Sequence, residues 1–109
     1  MYKELISSLR LRYEHTDDAD FVEKLVQLRK KIDQIDAEIL DLLSRRMDIS
    51  EDIGEVKRKH NISILQVARW NEIMRNALAH GKEIGLSEEF IMKYLSAIHQ
   101  ESIDRQTRE

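Results

Sequence analysis

The sequence contains no cysteine, no proline and only three glycines in 109 residues. The absence of cysteine excludes disulfides, thiol catalysis and thiolate metal sites together. Because proline is absent and glycine is scarce, few positions interrupt a helix. Leu, Ile, Glu, Lys and Arg are abundant instead, which is typical of helical proteins. We therefore expect an all-α domain.

Two further absences concern location and partners. No apolar run approaches the eighteen or so residues of a membrane span, and no signal-peptide pattern opens the chain. The formal net charge is −3 at pH 7, which argues against a nucleic-acid partner, because phosphates require a basic face. We expect a single soluble, cytoplasmic domain without a membrane or nucleic-acid partner.

Apolar periodicity and capping residues predict three helices. The first begins at the capping-box pattern of Asp20 and Glu23, and Ser63 and Ser87 are the expected caps of the other two. The predicted helices run from about Asp20 to His60 or Asn61, from about Leu65 to the break at Gly81 and Gly85, and from Ser87 into "RQTRE". The stretch "YEHTDDAD" is charged and turn-like, so we interpret residues 1–20 as a linker or accessory segment and residues 21–109 as the helical domain.

The first predicted helix is longer than a domain of this size. Nearly forty residues that rise about 1.5 Å each span roughly 55 Å, whereas the radius of gyration of such a domain is about 13 Å. Two shorter helices cannot cover the whole apolar side of this helix. We therefore expect a homodimer joined along the long helices. An ordinary coiled coil, or a helix broken near Gly54, is the alternative.

An arginine interrupts the apolar seam of this helix, and the seam consists of Leu25, Leu28, Ile32, Ile35, Ile39, Leu42, Ile49, Ile53 and Val56. Arg46 occupies the position between Leu42 and Ile49. A lone arginine there would snorkel or pair with an acid across the bundle. However, Lys57 lies three turns further along the same stripe. Gly54 sits beside the stripe, where it costs about 1 kcal/mol relative to Ala and could let a partner helix or a ligand approach closely.

Polar pairs on the other two predicted helices extend the stripe. Gln66 and Arg69 share a face of the second helix, and Ser102 and Gln106 stand one turn apart on the third. Together with the two cations of the first helix, they predict a cationic cavity for a small anion. Arg29 lies about 25 Å from these cations along the helix, too far to contact the same small molecule. If Arg29 serves this cavity, it must come from the other subunit.

The sequence shows no Ser-His-Asp arrangement, no glycine-rich phosphate loop and no cluster of metal ligands. Trp70, Met74 and Leu78 follow helical spacing and are interpreted as core. We interpret the four histidines as structural or solvent-exposed: His15, His60, His80 and His99. The remaining candidates are cations and neutral hydrogen-bond donors. Such a set suits holding a polyanion and stabilising oxygen charge by pre-organised donors, without a nucleophile or general base.

The stretch "LRKKIDQIDAEILDLLSRRMDISEDIGEVKRKH", followed by a helix with an early Arg and a last helix with "ESIDRQ", resembles the all-helical class of chorismate mutase. The resemblance runs from about Val22 to Thr107. It implies an intertwined homodimer of three-helix chains and the Claisen rearrangement of chorismate to prephenate, a cofactor-free step in phenylalanine and tyrosine biosynthesis. The ends of the chain look most like mutase domains fused to another shikimate-pathway enzyme, so a fused or associated enzyme of that pathway is an expected partner.

The resemblance also implies roles for individual residues. The implied substrate-binding residues are Arg29 from the partner subunit, Arg46, Lys57, Gln66, Arg69, Ser102 and Gln106. Three of them would be catalytic: Arg46 binds a carboxylate, Lys57 donates to a carboxylate and to the ether oxygen, and Gln106 holds that oxygen from the other side. Arg29 binds the second carboxylate, and Arg69 and Ser102 complete carboxylate binding and its support.

The sequence departs from this family at two positions. Trp70 stands where an acidic residue usually follows the second-helix arginine, and Gln66 stands where an Asp is common one turn earlier. The amide of Gln66 can still bind the substrate hydroxyl. Two other functions stay open. One is a lyase of the same fold that splits isochorismate into salicylate and pyruvate, and the other is a dimerising or regulatory module without turnover.

Overall fold

The structure, a computed structural model, describes residues 18–108 and consists of three α-helices joined by short connections. In chain order these are α1, Ala19–Lys59; α2, Val67–Ile84; and α3, Glu88–Thr107. The predicted all-α fold with one very long first helix is confirmed. The segment predicted as a linker lies, up to residue 17, outside the described residues. Across residues 18–108, no helix combines the length and apolar character needed to cross a membrane.

Helix α1 begins earlier than the capping pattern predicted. The carboxylate of Asp18 accepts a hydrogen bond from the backbone N–H of Phe21 at 3.2 Å, so Asp18 rather than Asp20 caps the helix. The helix then continues without a break past Gly54, which excludes the alternative of a helix broken there. It ends within a residue or two of the predicted position, where Asn61 adopts a left-handed conformation with φ of 55°.

Helix α2 starts two residues later than predicted and ends at the second of the two candidate glycines. The residue before it, Gln66, is extended and makes no side-chain cap. Ser63 is not the cap, because its hydroxyl donates instead to the carbonyl of Leu65 at 3.1 Å. Gly81 lies inside the helix, and the helix ends at Gly85, whose φ of 83° is left-handed. Only glycine adopts that conformation readily, so Gly85 is the stop signal.

Helix α3 begins as predicted. The hydroxyl of Ser87 accepts from the backbone N–H of Phe90 at 3.2 Å, which satisfies one of the unpaired donors of the first turn. Glu88 and Glu89 occupy that turn, where negative charge interacts favourably with the helix dipole. The third helix is therefore specified locally by its own sequence.

The chain divides into two compact units, with the boundary between Leu40 and Asp41. In the described part of the first unit, the apolar seam of α1 is exposed: the exposed fractions are 55% for Leu28, 56% for Ile32 and 54% for Ile35. A single helix cannot bury its own apolar face, so these side chains need another surface to cover them.

The second unit contains the rest of α1 together with α2 and α3. Its small apolar core consists of the buried side chains Met47, Ile91, Leu95 and Ile98. Trp70, Met74 and Leu78, which were interpreted as core, are half-buried. Apolar seam residues in this unit are exposed as well, including Ile49 at 58% and Val56 at 56%. The core of the second unit holds three helices together but leaves much of the seam uncovered.

Candidate active site

A cavity of about 410 Å³ lies within the second unit. All of the predicted site residues except Arg29 line it: Arg46, Lys57, Gln66, Arg69, Ser102 and Gln106. The other lining residues are Ile49, Ser50, Ile53, Ile64, Trp70, Ile73, His99 and Ile103. Arg29 belongs to the first unit and is exposed there.

The contribution of α1 to the cavity follows from helical spacing. Arg46, Ser50, Ile53 and Lys57 are separated by steps of four, three and four, which places their side chains on one stripe. Ser50 is buried, whereas Arg46 and Lys57 are half-buried. The Nη1 atom of Arg46 is buried and has no hydrogen-bond partner within residues 18–108. Because a desolvated cationic donor is costly when unpaired, this atom indicates a site for an anion.

Lys57 and Gln106 form the polar centre of the cavity. The ammonium of Lys57 donates to Gln106 Oε1 at 2.9 Å and to the carbonyl of Ile64 at 2.8 Å. Gln106 Nε2 donates to the hydroxyl of Ser102 at 3.3 Å, and this hydroxyl lies 2.7 Å from that of Ser50. An ammonium has three N–H groups and a primary amide has two. Each of Lys57 and Gln106 therefore has one further N–H beyond these bonds, within a network that fixes both side chains.

Arg69 lies at the exposed edge of the cavity. Its side chain is 62% exposed and forms an ion pair with Glu72 of the same helix. Such exposed pairs are weak, because solvent screens both charges. The guanidinium can therefore leave Glu72 for a ligand at little cost. Arg69 supplies positive charge at the edge, whereas Arg46 supplies it deeper in the cavity.

An aromatic pair forms another part of the wall. The rings of Trp70 and His99 have centroids 4.2 Å apart and planes inclined by 34°. His99, interpreted from the sequence as structural or exposed, is half-buried and lines the cavity. It precedes Ser102 by three residues and Gln106 by seven, which is the spacing of one helix face. This spacing was a signal in the sequence that His99 shares the face of Ser102 and Gln106. It was missed because His99 was compared only with the other histidines.

The charge of the cavity wall is positive. Arg46, Lys57 and Arg69 line it, and within the described ranges no Asp or Glu does. Glu51 lies nearby on α1 but pairs with Arg105 at 3.0 Å. The hydrogen bonds that Arg105 donates to Glu51 and then to Glu101 raise the pKa of Arg105 above its ordinary value. Glu51 and Glu101 therefore pair with Arg105, and the acid that pairs with a cation of the cavity wall is Glu72, which contacts Arg69 at the exposed edge.

The lining residues fit organic anions better than metal ions. Over the described part of the chain, no group of His, Asp and Glu is arranged to hold a metal ion. The wall instead offers three cations, neutral N–H and O–H donors, and isoleucine side chains. The volume falls within the roughly 300–1,000 Å³ of small-molecule sites. This combination suits a small molecule that carries carboxylates and an apolar body.

Residues 28–107 match the protein family described as chorismate mutase type II. The chain therefore belongs to this family. It is 44% identical to a bifunctional chorismate mutase/prephenate dehydratase of Aquifex aeolicus, over 58% of this chain and 17% of the relative. It is 31% identical to a chorismate mutase of Methanocaldococcus jannaschii, over 78% of this chain and 88% of the relative.

A third relative carries a different activity in its name. The chain is 33% identical to a 4-amino-4-deoxychorismate mutase of Streptomyces pristinaespiralis, over 70% of this chain and 59% of the relative. The chain thus covers only a small part of the bifunctional Aquifex relative, more than half of the Streptomyces relative and most of the Methanocaldococcus relative. The three names share a mutase activity and differ in the substrate named and in whether a second activity is named.

Proposed function

We propose that this chain is a chorismate mutase, which converts chorismate to prephenate by a Claisen rearrangement. The observation that carries the proposal is the buried Nη1 atom of Arg46, which has no partner within residues 18–108 in a cavity lined by cations. Chorismate is a dicarboxylate with an ether oxygen at its centre. A cavity that is lined by several cations, and in which Lys57 and Gln106 each have a further N–H group, matches both features.

In this proposal Arg46 holds one carboxylate, Arg69 completes carboxylate binding at the edge of the cavity, and Lys57 and Gln106 hold the ether oxygen. The rearrangement breaks the ether C–O bond while a new C–C bond forms, so no nucleophile, proton transfer or cofactor is needed. Negative charge grows on the ether oxygen as its bond lengthens. The free N–H groups of Lys57 and Gln106 meet that charge in a partly desolvated cavity. Holding the two reacting ends together accounts for a further part of the rate.

The proposed site includes Arg29 of the partner subunit, within an intertwined homodimer. Apolar seam residues are exposed in both units. Their exposure supports a dimer in which a second copy of the chain covers the seam of α1. Arg29 is exposed and belongs to the first unit, whereas every residue that lines the cavity belongs to the second. A second carboxylate inside the cavity needs a partner besides Arg46, and Arg29 from the other chain supplies it.

Mixed dimers test this shared site. We expect homodimers of Arg29→Ala and of Arg46→Ala to be inactive, because each of their sites lacks one arginine. After the two variants are unfolded and refolded together, about half of the dimers are mixed, and each mixed dimer has one intact site. Activity should then return to about a quarter of the unmodified level. If mixed dimers form and activity does not return, Arg29 does not act across the dimer.

A substrate panel tests the reaction itself. Chorismate, isochorismate and 4-amino-4-deoxychorismate are each incubated with the 109-residue chain, and products are separated by chromatography. We expect prephenate from chorismate as the main reaction. No Asp or Glu lines the cavity within the described residues, so a ring ammonium finds no carboxylate there and we expect the amino analogue to react more slowly. Salicylate and pyruvate from isochorismate would instead identify the lyase, and no turnover of any substrate would identify a non-catalytic module.

The domain division and the larger assembly are also part of this proposal. We propose residues 1–20 as a linker or accessory segment and residues 21–109 as the mutase domain. Helix α1 begins at Ala19, so its first two residues lie within the proposed linker segment. The name of the bifunctional relative supports a fused or associated shikimate-pathway enzyme as a partner. A cytoplasmic location stays a prediction from composition.

A further inference from the structure

Gly54 lies where the backbones of α1 and α3 come into contact. Gly54 is buried, and a Cβ built on it would lie 2.6 Å from both the Cα and the carbonyl oxygen of Gln106. Ordinary contact begins at 3.4 Å. The obstructing atoms are backbone, so they cannot move aside as the end of a side chain does. Any side chain at position 54 would push the two helices apart by roughly 1 Å.

Neighbouring residues of α1 hold the polar groups of Gln106. Arg58 Nη1 donates to the carbonyl oxygen of Gln106 at 2.5 Å, and Lys57 donates to its side-chain oxygen at 2.9 Å. Gln106 lies next to Thr107, the last residue of α3, where carbonyls have no partner inside the helix and the final turn frays. Arg58 therefore satisfies an acceptor that the helix itself leaves open.

We propose that Gly54 and Arg58 are positioning residues that fix the last turn of α3, so that the Gln106 amide is held at the reacting ether oxygen. Neither residue lines the cavity, so neither touches the substrate. The inference rests on the proposed function, because it assigns a catalytic role to Gln106. It explains why the helix keeps a glycine at a mid-helix position, where glycine costs about 1 kcal/mol relative to Ala.

The expected effect is a loss of turnover rather than of binding. A displacement of about 1 Å at a reacting group can cost on the order of 100-fold in rate. The carboxylate contacts of Arg46 and Arg69 come from positions further along the cavity. Gly54→Ala should therefore lower kcat by about 10- to 100-fold and change KM by less than about threefold.

Gly81→Ala is the matched control for this variant. Gly81 is also a buried helical glycine, and its added Cβ would lie 2.9 Å from the side chain of Ile91. It has no contact with Gln106 and does not line the cavity. This variant crowds the end of a side chain, away from the site, so we expect its kcat to stay within about threefold of the unmodified chain. An equal loss in both variants would assign the effect to packing alone and overturn the proposal.

The decisive experiment combines Gly54→Ala with Gln106→Ala in a double-mutant cycle on chorismate turnover. If Gly54 acts through the Gln106 side chain, Gly54→Ala should lower kcat by less than about threefold once that side chain is absent. Multiplicative losses would overturn the proposal. Turnover by the unmodified chain and its reduction by Gln106→Ala test the proposed function separately, so failure of one is distinguishable from failure of the other.

Arg58→Met provides a second cycle that does not depend on the folding of Gly54→Ala. It removes the donor to the Gln106 carbonyl, and we expect about a 10-fold lower kcat that disappears in the Gln106→Ala background. Arg58→Lys keeps a cationic donor and should recover part of the rate. Lys59→Met is its control, because Lys59 is 70% exposed and pairs with Glu55 instead. If Arg58→Met behaves like Lys59→Met, Arg58 does not position Gln106.

Discussion

Replacement of Arg46 by methionine separates a catalytic role from a structural one. Methionine keeps the unbranched stem and removes the guanidinium, so packing along α1 changes little. The Nη1 atom that disappears is buried and unpaired within residues 18–108. Removing a guanidinium whose Nη1 atom is buried without a partner should leave the free energy of unfolding unchanged or raise it by about 1 kcal/mol. The variant is therefore expected to lose activity without losing stability.

The loss of activity in Arg46→Met should be large. One charge-assisted donor in a water-excluded site is worth about 3–4 kcal/mol to the transition state, which is on the order of 100- to 1,000-fold in rate. The assay combines chorismate kinetics with urea denaturation of the unliganded chain. Arg45→Met is the control, because Arg45 is the exposed neighbour and does not line the cavity. Normal turnover in Arg46→Met, or a loss of more than about 2 kcal/mol in unfolding free energy, would refute the reasoning.

Two further predictions concern the ether oxygen and the dimer. Gln106 is neutral at every pH, so turnover by the unmodified chain should stay level between about pH 7 and 9. In the Gln106→Glu variant, kcat should rise as pH falls, because only a protonated carboxyl can donate to the ether oxygen. A pH-independent kcat in this variant would exclude donation by residue 106 to the ether oxygen. Ile32→Glu places a charge on the exposed seam, where Ile32 is 56% exposed. Sedimentation should then detect monomers. Lys30→Glu is the control, because Lys30 is exposed on the same helix and lies away from the seam, so this variant should stay dimeric. An unaffected Ile32→Glu dimer would contradict the proposed interface.

Features set by local periodicity were predictable from the sequence. The stripe of Arg46 and Lys57 follows from helix geometry alone, and it does lie against one cavity. Ser87 caps α3 as expected because its hydroxyl has a free backbone donor three residues on. The close approach allowed by Gly54 was also anticipated. The structure adds that the approaching group is the backbone of Gln106.

Two kinds of feature were not predictable from the sequence. One is which of several acceptable residues close in sequence caps a helix, and the other is which side chains meet between helices. Asp18 and Asp20 are both acceptable caps, and only the structure shows that Asp18 bonds to the backbone of Phe21. Ser63 satisfies a nearby carbonyl instead of starting α2, a local competition that propensities do not resolve. The ring of His99 lies 4.2 Å from that of Trp70 on another helix. That pairing depends on how α2 and α3 pack, which no spacing within either helix reveals.

The most direct test of the central proposal is a proton NMR time course of chorismate with the unmodified chain and, in parallel, with Arg46→Met. The proposal predicts that, with the unmodified chain, the enol-ether vinyl resonances of chorismate decay while the resonances of prephenate, which has no ether, grow in equal amount. It also predicts that the variant leaves chorismate almost unchanged over the same period. Chorismate that persists with the unmodified chain, or that disappears equally fast with both chains, would contradict the proposed function.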